Sequence, residues 1–123
     1  MRSNALSGLR ILLLEDEYLI AMDVELLCRE NGAAEIITKH SLEELEAMDG
    51  FDGFDVAVVD LRLAGASTLP FAERLREKNV PFIFASGYAD EQLTAAFPDV
   101  PTVSKPYAGN DLVAAIAARA GRR

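Results

Sequence analysis

Five short apolar runs alternate along the chain with segments in which apolar residues recur every three or four positions. Such recurrence predicts amphipathic helices, whereas short continuous apolar runs are typical of strands buried on both faces. The predicted strands are 10–14, 34–38, 54–59, 80–85 and 102–104, and the predicted helices are 18–30, a short one opening at the capping pair Ser41 and Glu44, 68–78, 90–97 and 110–120.

The order of these elements limits the topology. Alternating strands and helices predict a parallel sheet with helices on both faces, and right-handed crossovers favour a doubly wound arrangement. For 123 residues we expect a flavodoxin-like α/β fold, with a five-stranded parallel sheet in the order 2-1-3-4-5 and five helices. One domain over 9–123 would follow a polar lead-in over 1–8.

Composition narrows the partners and the compartment. The formal net charge of −8 disfavours nucleic acid and anionic membranes as partners, because both attract clustered Lys and Arg. Cys28 is the only cysteine, and its place in an apolar helical stripe predicts a small buried side chain. No apolar run approaches the roughly 20 residues that span a bilayer and no signal-peptide pattern opens the chain, so we expect a cytoplasmic protein.

Polar side chains follow four of the five predicted strands. In open α/β sheets, ligands bind outside the carboxyl ends of the strands, so we expect these side chains to meet at one edge. The set is Glu15, Asp16 and Glu17 after the first strand, Asp60 after the third, Ser86 (followed by Gly87) after the fourth, and Lys105 after the fifth.

The residue types in this set predict phosphoryl transfer. Converging carboxylates repel one another, and a hard divalent cation such as Mg²⁺ relieves the repulsion through oxygen ligands. Lys105 can pair with Asp60 or with a phosphate on it, and Ser86 offers a hydroxyl donor. A carboxylate can act as a nucleophile and form an aspartyl phosphate, which the metal, the ammonium and the hydroxyl would stabilise.

Each residue also has an ordinary structural explanation. The acidic run 15–17 suits the first turn of a helix, and Asp60 suits a turn after a strand. Ser86–Gly87 could form a simple turn, and Lys105–Pro106 could be the end of a strand before a proline break. Taken singly, these explanations are favoured, but the placement of the whole set at strand ends in this order favours a shared site.

At these positions the chain resembles the receiver domains of bacterial two-component response regulators, over nearly its full length. The matching segments are 11–17 (ILLLEDE), 56–61 (VAVVDL), 84–88 (FASGY) and 104–107 (SKPY). The resemblance implies that Asp60 is the phosphoacceptor. It also implies that Glu15 and Asp16 hold Mg²⁺ (or Mn²⁺) together with Asp60 and the backbone carbonyl of Arg62.

The resemblance assigns further roles near Asp60. Ser86 would bind the phosphoryl group and reorient on activation, and Lys105 would contact the same group. Arg62 and Tyr88 would flank the group, and because both are large we expect slow self-dephosphorylation. A cis peptide bond would precede Pro106, as such bonds are largely a proline feature. The expected modulating residues are Arg62, Tyr88, Thr102, Gly87 and Pro106.

Two features depart from the common receiver pattern. Thr102 stands three residues before Lys105, where most receivers have a Tyr or Phe that acts as a rotameric switch. The segment 84–88 resembles the F-A-[TS]-G-Y motif of stand-alone receivers known mainly from alphaproteobacteria. We expect the segment 88–98 to be short or mobile and to become ordered on phosphorylation.

The function implied is that of a single-domain response regulator in a phosphorelay. A histidine kinase or phosphotransfer protein would donate the phosphoryl group. A downstream protein would bind the face formed by the fourth helix, the fifth strand and the fifth helix. We expect no enzymatic activity beyond self-catalysed phosphotransfer and autodephosphorylation. A relay, a phosphate sink and an allosteric regulator of a kinase all remain open.

Other functions are possible on the same architecture. A phosphatase of the haloacid-dehalogenase type carries a second Asp two residues after its nucleophile, and Arg62 stands at that position. A flavin-binding module needs a hydroxyl- and Gly-rich phosphate loop after the first strand, where the acidic run 15–17 would repel a phosphate. A phosphorylation-independent receiver-like module that regulates a kinase stays open as the alternative.

Overall fold

A five-stranded parallel sheet organises the protein, for which a computed structural model describes residues 4–87 and 95–121. Its strands are β1 (Arg10–Leu14), β2 (Glu35–Lys39), β3 (Val56–Asp60), β6 (Phe82–Ser86) and β7 (Thr102–Ser104). Their order in the sheet, β2-β1-β3-β6-β7, confirms the predicted order of the five main strands. The described helices are α1 (Tyr18–Glu30), α2 (Leu42–Glu46), α3 (Leu69–Glu77) and α4 (Gly109–Arg119).

Alternate residues of the central strands pack into two apolar cores, one on each face of the sheet. All residues of β3 and β6 are buried, as expected for a parallel sheet that is covered on both faces. On one face, α1 and α4 cover the sheet through side chains such as Val24 and Ile116. On the other face, α2 and α3 cover it through side chains such as Leu45 and Leu75. Because the helices cover the faces of the sheet, a ligand site is expected at its carboxyl edge.

Side-chain hydrogen bonds define the start of α2. The Glu44 N–H donates to Ser41 Oγ at 3.2 Å, as the sequence pattern predicts. The Glu44 carboxylate accepts from the His40 N–H at 2.9 Å, so the return bond reaches one residue before the cap. This arrangement satisfies two backbone donors that a helix start would otherwise leave unpaired.

Three strands begin and end later than predicted, the first of them being β2, which covers Glu35–Lys39 rather than 34–38. β3 covers Val56–Asp60 rather than 54–59, and β6 covers Phe82–Ser86 rather than 80–85. Pro81 has no N–H to donate to a sheet partner, which accounts for the later start of β6. Asp60 and Ser86 are therefore the last residues of their strands, each held in a fixed backbone geometry.

The segment 61–67, which we predicted as a loop, contains a small hairpin. β4 (Arg62–Leu63) and β5 (Ala66–Ser67) pair in antiparallel fashion. Ala64 and Gly65 form the two-residue turn, with φ of 51° and 86°, and two positive φ angles in succession suit the twist of a tight hairpin. Strands of two residues carry no periodic signal, which is why the sequence pattern missed them.

Most of the predicted fourth helix over 90–97 lies outside the described residues, and Tyr88 is also outside them. Ala95 and Ala96 lie in a turn, and Phe97 is buried with its ring centroid 5.6 Å from those of Phe82 and Phe84. The expected ordering of 88–98 on phosphorylation thus falls largely on residues 88–94, which are not described, and it stays a prediction.

The first described residues belong to the packed structure. Leu6, within the predicted polar lead-in, is fully buried in the core beside α1. Its N–H donates to the Asn31 carbonyl at 2.9 Å, and the Gly8 N–H donates to the Gly32 carbonyl at 3.2 Å. The domain boundary at residue 9 stays a prediction. Among the described helices, none has the length and apolar character needed to cross a membrane.

Candidate functional site

Three carboxylates meet at the carboxyl edge of the sheet. β1 and β3 are parallel neighbours with Leu14 opposite Val59, so Glu15 and Asp60 come next to each other along the two strands. Oxygens of Glu15, Asp16 and Asp60 all lie within 4.8 Å of one another. The sheet register alone therefore brings together acidic residues that are 45 positions apart in sequence.

Lys105 reaches this cluster from the far side of β6. It follows β7 directly, and its N–H donates to the Ser86 carbonyl at 2.8 Å. Its ammonium Nζ lies 2.6 Å from Glu15 Oε1 and 2.9 Å from Asp60 Oδ2. The peptide bond between Lys105 and Pro106 is cis, as predicted.

Burial and charge act in opposite directions on these groups. Burial raises the pKa of the Glu15 and Asp60 carboxyls, although the close contacts and the positive charge of Lys105 limit the increase. For Lys105 itself, burial lowers the pKa, but its contacts with Glu15 and Asp60 outweigh burial and raise it. Lys105 is therefore held in its charged form. Burial and mutual repulsion disfavour the charged forms of the two buried carboxylates.

The donor set fits a divalent cation. Glu15 is fully buried, and within the described part of the chain its Oε1 has no hydrogen-bond partner, only the ion-pair contact with Lys105. Asp16 Oδ2 accepts from the Ala64 N–H at 3.0 Å, which fixes that carboxylate. The Lys105 ammonium contacts Glu15 and Asp60, two of the three carboxylates, and clustered carboxylate oxygens are the ligands that Mg²⁺ prefers in proteins.

The hairpin loop supplies backbone donors to the same carboxylates. The Arg62 N–H donates to Asp60 Oδ1 at 3.3 Å, while the Ala64 N–H reaches Asp16 as described above. Arg62 itself is an exposed residue on the rim of the site. Two of the three carboxylates are thus oriented by main-chain groups of one short loop.

A cavity of about 550 Å³ opens over this cluster. Most of the predicted site residues line it, including the modulating residues Gly87 and Pro106. Ser86, buried at the end of β6, also contributes to the wall. The lining residues are Asp16, Glu17, Ile20, Asp60, Leu61, Arg62, Gly65, Ser86, Gly87, Lys105 and Pro106.

Two described residues of the predicted site, Glu15 and Thr102, do not belong to this lining. Glu15 is fully buried within the acidic cluster. Thr102 is exposed on β7, where it pairs with Phe84, and it is absent from the lining of the cavity. Tyr88 falls outside the described residues. The roles predicted for Thr102 and Tyr88 therefore stay predictions.

Sequence reasoning missed two side chains that hold the site in place. His40 Nδ1 lies 2.9 Å from the Glu15 carbonyl oxygen, and the His40 ring stacks on Tyr18 with centroids 4.0 Å apart. His40 follows β2 directly, so the strand-end rule that found the other residues also applies to it. The buried Thr68 hydroxyl donates to the Asp60 carbonyl at 2.6 Å, and no pattern in the sequence pointed to it.

The sheet order, the covering helices and the position of the acidic cluster define an α/β protein with the fold of response-regulator receiver domains. Solved structures of such domains superpose on nearly the whole chain. Because the sequence identities to the structures below are low, the likeness establishes the fold and nothing beyond it.

The N-terminal signal receiver domain of a two-component response regulator from Bacteroides fragilis is 20% identical, with a TM-score of 0.80 over 95% of this chain and 100% of that one. A CheY-like receiver domain protein from Methanospirillum hungatei is also 20% identical, with a TM-score of 0.80 over 94% and 95%. A response regulator receiver protein from Sinorhizobium medicae is 24% identical, with a TM-score of 0.74 over 94% and 97%. No model of a known protein family matches the chain, and no curated protein matches it by sequence.

Proposed function

We propose that the protein is a single-domain response regulator that accepts a phosphoryl group on Asp60 in a Mg²⁺-dependent reaction. The observation that carries this proposal is the convergence of Glu15, Asp16 and Asp60 within 4.8 Å, with the Lys105 ammonium 2.9 Å from Asp60 Oδ2. A carboxylate nucleophile beside a cation site and an ammonium is the set that aspartyl phosphorylation requires.

The donor in this proposal is a phosphohistidine of a histidine kinase or a phosphotransfer protein. An Asp60 oxygen bonds to phosphorus as the P–N bond breaks, and the bonding electron pair goes to the imidazole nitrogen, which takes up a proton from water. The Arg62 N–H and the Lys105 ammonium hold Asp60 Oδ1 and Oδ2 in place before attack. Such fixed orientation lowers the entropy that the reaction must lose.

Charge stabilisation would come from a bound cation and from side chains at the site. Glu15, Asp16, Asp60 and the Arg62 carbonyl would hold Mg²⁺ (or Mn²⁺), which would supply positive charge beside the phosphoacceptor. Lys105 keeps its proton because its carboxylate contacts raise its pKa, so it offers a second positive charge to the transferring phosphoryl oxygens. Ser86 lines the cavity and offers a hydroxyl donor.

Output would pass to a downstream protein through the face formed by the predicted helix over 90–97, β7 and α4. The net charge of −8 supports a protein partner over nucleic acid or an anionic membrane, and the proposed location is the cytoplasm. Catalysis would be limited to self-phosphorylation and autodephosphorylation. A relay, a phosphate sink and an allosteric regulator of a kinase all fit this chemistry.

Intact mass after incubation with acetyl phosphate tests the proposal. We expect a gain of about 80 Da that requires Mg²⁺ and is lost in Asp60→Asn. Asp52→Asn is the matched control, since Asp52 is exposed in the segment before β3, at the opposite edge of the sheet. No gain with acetyl phosphate or with phosphorylated histidine kinases would contradict the proposal and favour a phosphorylation-independent interaction module.

A further inference from the structure

Thr68 has an unusual set of contacts for a residue that precedes a helix. It is the N-cap residue of α3, yet its side chain makes no capping bond to that helix. Its hydroxyl instead donates to the Asp60 carbonyl at 2.6 Å, and the residue is fully buried. Thr and Ser side chains normally accept a backbone N–H at the N-cap position, so the hydroxyl is used here for a different purpose.

The backbone of Thr68 makes a second bond to the same loop. Its N–H donates to the Leu61 carbonyl at 3.2 Å, next to the carbonyl that the hydroxyl binds. One residue therefore fixes two successive carbonyls and closes the loop 61–67 at its base. The Leu61 N–H donates to the Ala85 carbonyl at 3.0 Å, which ties the start of this loop to β6 as well.

The loop that Thr68 closes presents donors to two carboxylates of the site. These are the Arg62 N–H on Asp60 Oδ1 and the Ala64 N–H on Asp16 Oδ2. If the base of the loop shifts, both donors and the Asp60 main chain shift with it. A displacement of about 1 Å is enough to slow a reaction that depends on aligned groups by roughly 100-fold.

We propose that Thr68 is a positioning residue for the phosphoacceptor Asp60, acting through the Asp60 main chain and the loop 61–67 rather than by contact with the phosphoryl group. This inference rests on the proposed function of Asp60. It assigns to one buried hydroxyl the task of holding the nucleophile and the carboxylates beside it in their relative positions. Hydrogen bonds to the groups around a metal site commonly contribute about 10- to 100-fold to affinity or activity.

The test compares Thr68→Val with Thr68→Ser. Valine keeps the shape of threonine and removes the hydroxyl, whereas serine keeps the hydroxyl and removes the methyl group. We expect Thr68→Val to phosphorylate roughly 10-fold more slowly at saturating Mg²⁺ and acetyl phosphate, and to bind Mg²⁺ several-fold more weakly by calorimetry. Thr68→Ser should recover both quantities to within about two-fold of the wild type. Thr68→Ala replaces Thr68→Val if the latter does not fold.

A control separates positioning from a loss of stability. Thr38 donates its hydroxyl to the Glu25 carboxylate on α1, so Thr38→Val also removes a threonine hydroxyl and its hydrogen bond, but outside the loop 61–67. All variants are measured where circular dichroism shows them fully folded. A Thr68→Val protein that melts at lower temperature but keeps wild-type phosphorylation rate and Mg²⁺ affinity would overturn the positioning role.

The same experiment distinguishes failure of this inference from failure of the proposed function. If wild type gains the phosphoryl mass and Thr68→Val has the same phosphorylation rate and Mg²⁺ affinity, only the positioning role is contradicted. If wild type neither binds Mg²⁺ nor gains mass, the proposed function falls, and the positioning role falls with it.

Discussion

Lys105 Nζ lies 2.9 Å from Asp60 Oδ2, although Asp60 ends β3 and Lys105 follows β7, two strands that are not neighbours in the sheet. β6 lies between β3 and β7, so the lysine side chain spans the end of that strand to reach the carboxylate. The contact places a charged ammonium beside the proposed nucleophile. This ion pair is therefore expected to affect both the rate of phosphorylation and the binding of a cation at the site.

Replacing Lys105 with Ala should slow phosphorylation of Asp60 by roughly 100-fold, the size of effect seen when one group that stabilises developing charge is removed. Mg²⁺ affinity should stay the same or increase, because a positive charge leaves the cation site. The measurement is the rate of mass gain with acetyl phosphate at saturating Mg²⁺, with Lys78→Ala, exposed at the end of α3, as the matched control. A wild-type rate in Lys105→Ala would show that the ammonium plays no part in the transfer.

Mg²⁺ should stabilise the folded protein against heat. A cation that binds only the folded state raises the free energy of unfolding by about 2.7 kcal/mol at 100 times its dissociation constant. Asp16→Asn should reduce this gain strongly, because Asp16 supplies one of the three clustered carboxylates. Melting curves with and without Mg²⁺ measure the effect, and Asp52→Asn should behave as wild type. A wild-type melting temperature that does not change when Mg²⁺ is added would contradict the proposed metal site.

Arg62→Ala should shorten the lifetime of the acyl phosphate. Arg62 is exposed at the rim of the cavity over Asp60, where a large side chain can hinder the approach of water to the phosphoryl group. After removal of acetyl phosphate, the decay of the phosphorylated mass gives the lifetime. We expect a decay a few-fold faster than in wild type. An unchanged lifetime would mean that Arg62 does not shield the group.

Cys28 should be inert while the protein is folded. It is fully buried, and burial raises the pKa of its thiol to about 12. Because the folded state holds the proton more tightly, this thiol contributes stability below its ordinary pKa near 9 and loses that contribution as the pH rises toward 12. Labelling with a thiol reagent at pH 8 should therefore proceed only through unfolding and accelerate in denaturant. Rapid labelling of the native protein would contradict the buried position.

Much of the fold followed from two features of the sequence. The alternation of apolar runs with helical periodicity gave the strands and helices, and the handedness of crossovers gave their order. Strand ends were less predictable because they depend on hydrogen-bond partners, as at Pro81, which has no N–H to extend β6. The hairpin at 62–67 was missed because a two-residue strand has no measurable period.

Site residues are predictable where they end a strand or directly follow one, since parallel strands bring their carboxyl ends to one edge of the sheet. Glu15, Asp60 and Lys105 are found in this way, and His40, which follows β2 directly, obeys the same rule. Thr68 could not be found, because its contact with Asp60 depends on the path of the loop 61–67. That path is set by the turn at 64–65 and by packing, neither of which the spacing of residues reveals.

Chemical trapping of the phosphorylated residue tests the central claim most directly. Borohydride reduces an aspartyl phosphate to homoserine, which marks the residue permanently. After treatment with acetyl phosphate and Mg²⁺, peptide mass spectrometry should find homoserine at position 60 and at none of the other acidic positions. Omission of Mg²⁺ should abolish the signal. Homoserine at Asp16, 5-hydroxynorvaline (the reduction product of a glutamyl phosphate) at Glu15, or a phosphorylated protein with an unmodified Asp60 would contradict the account.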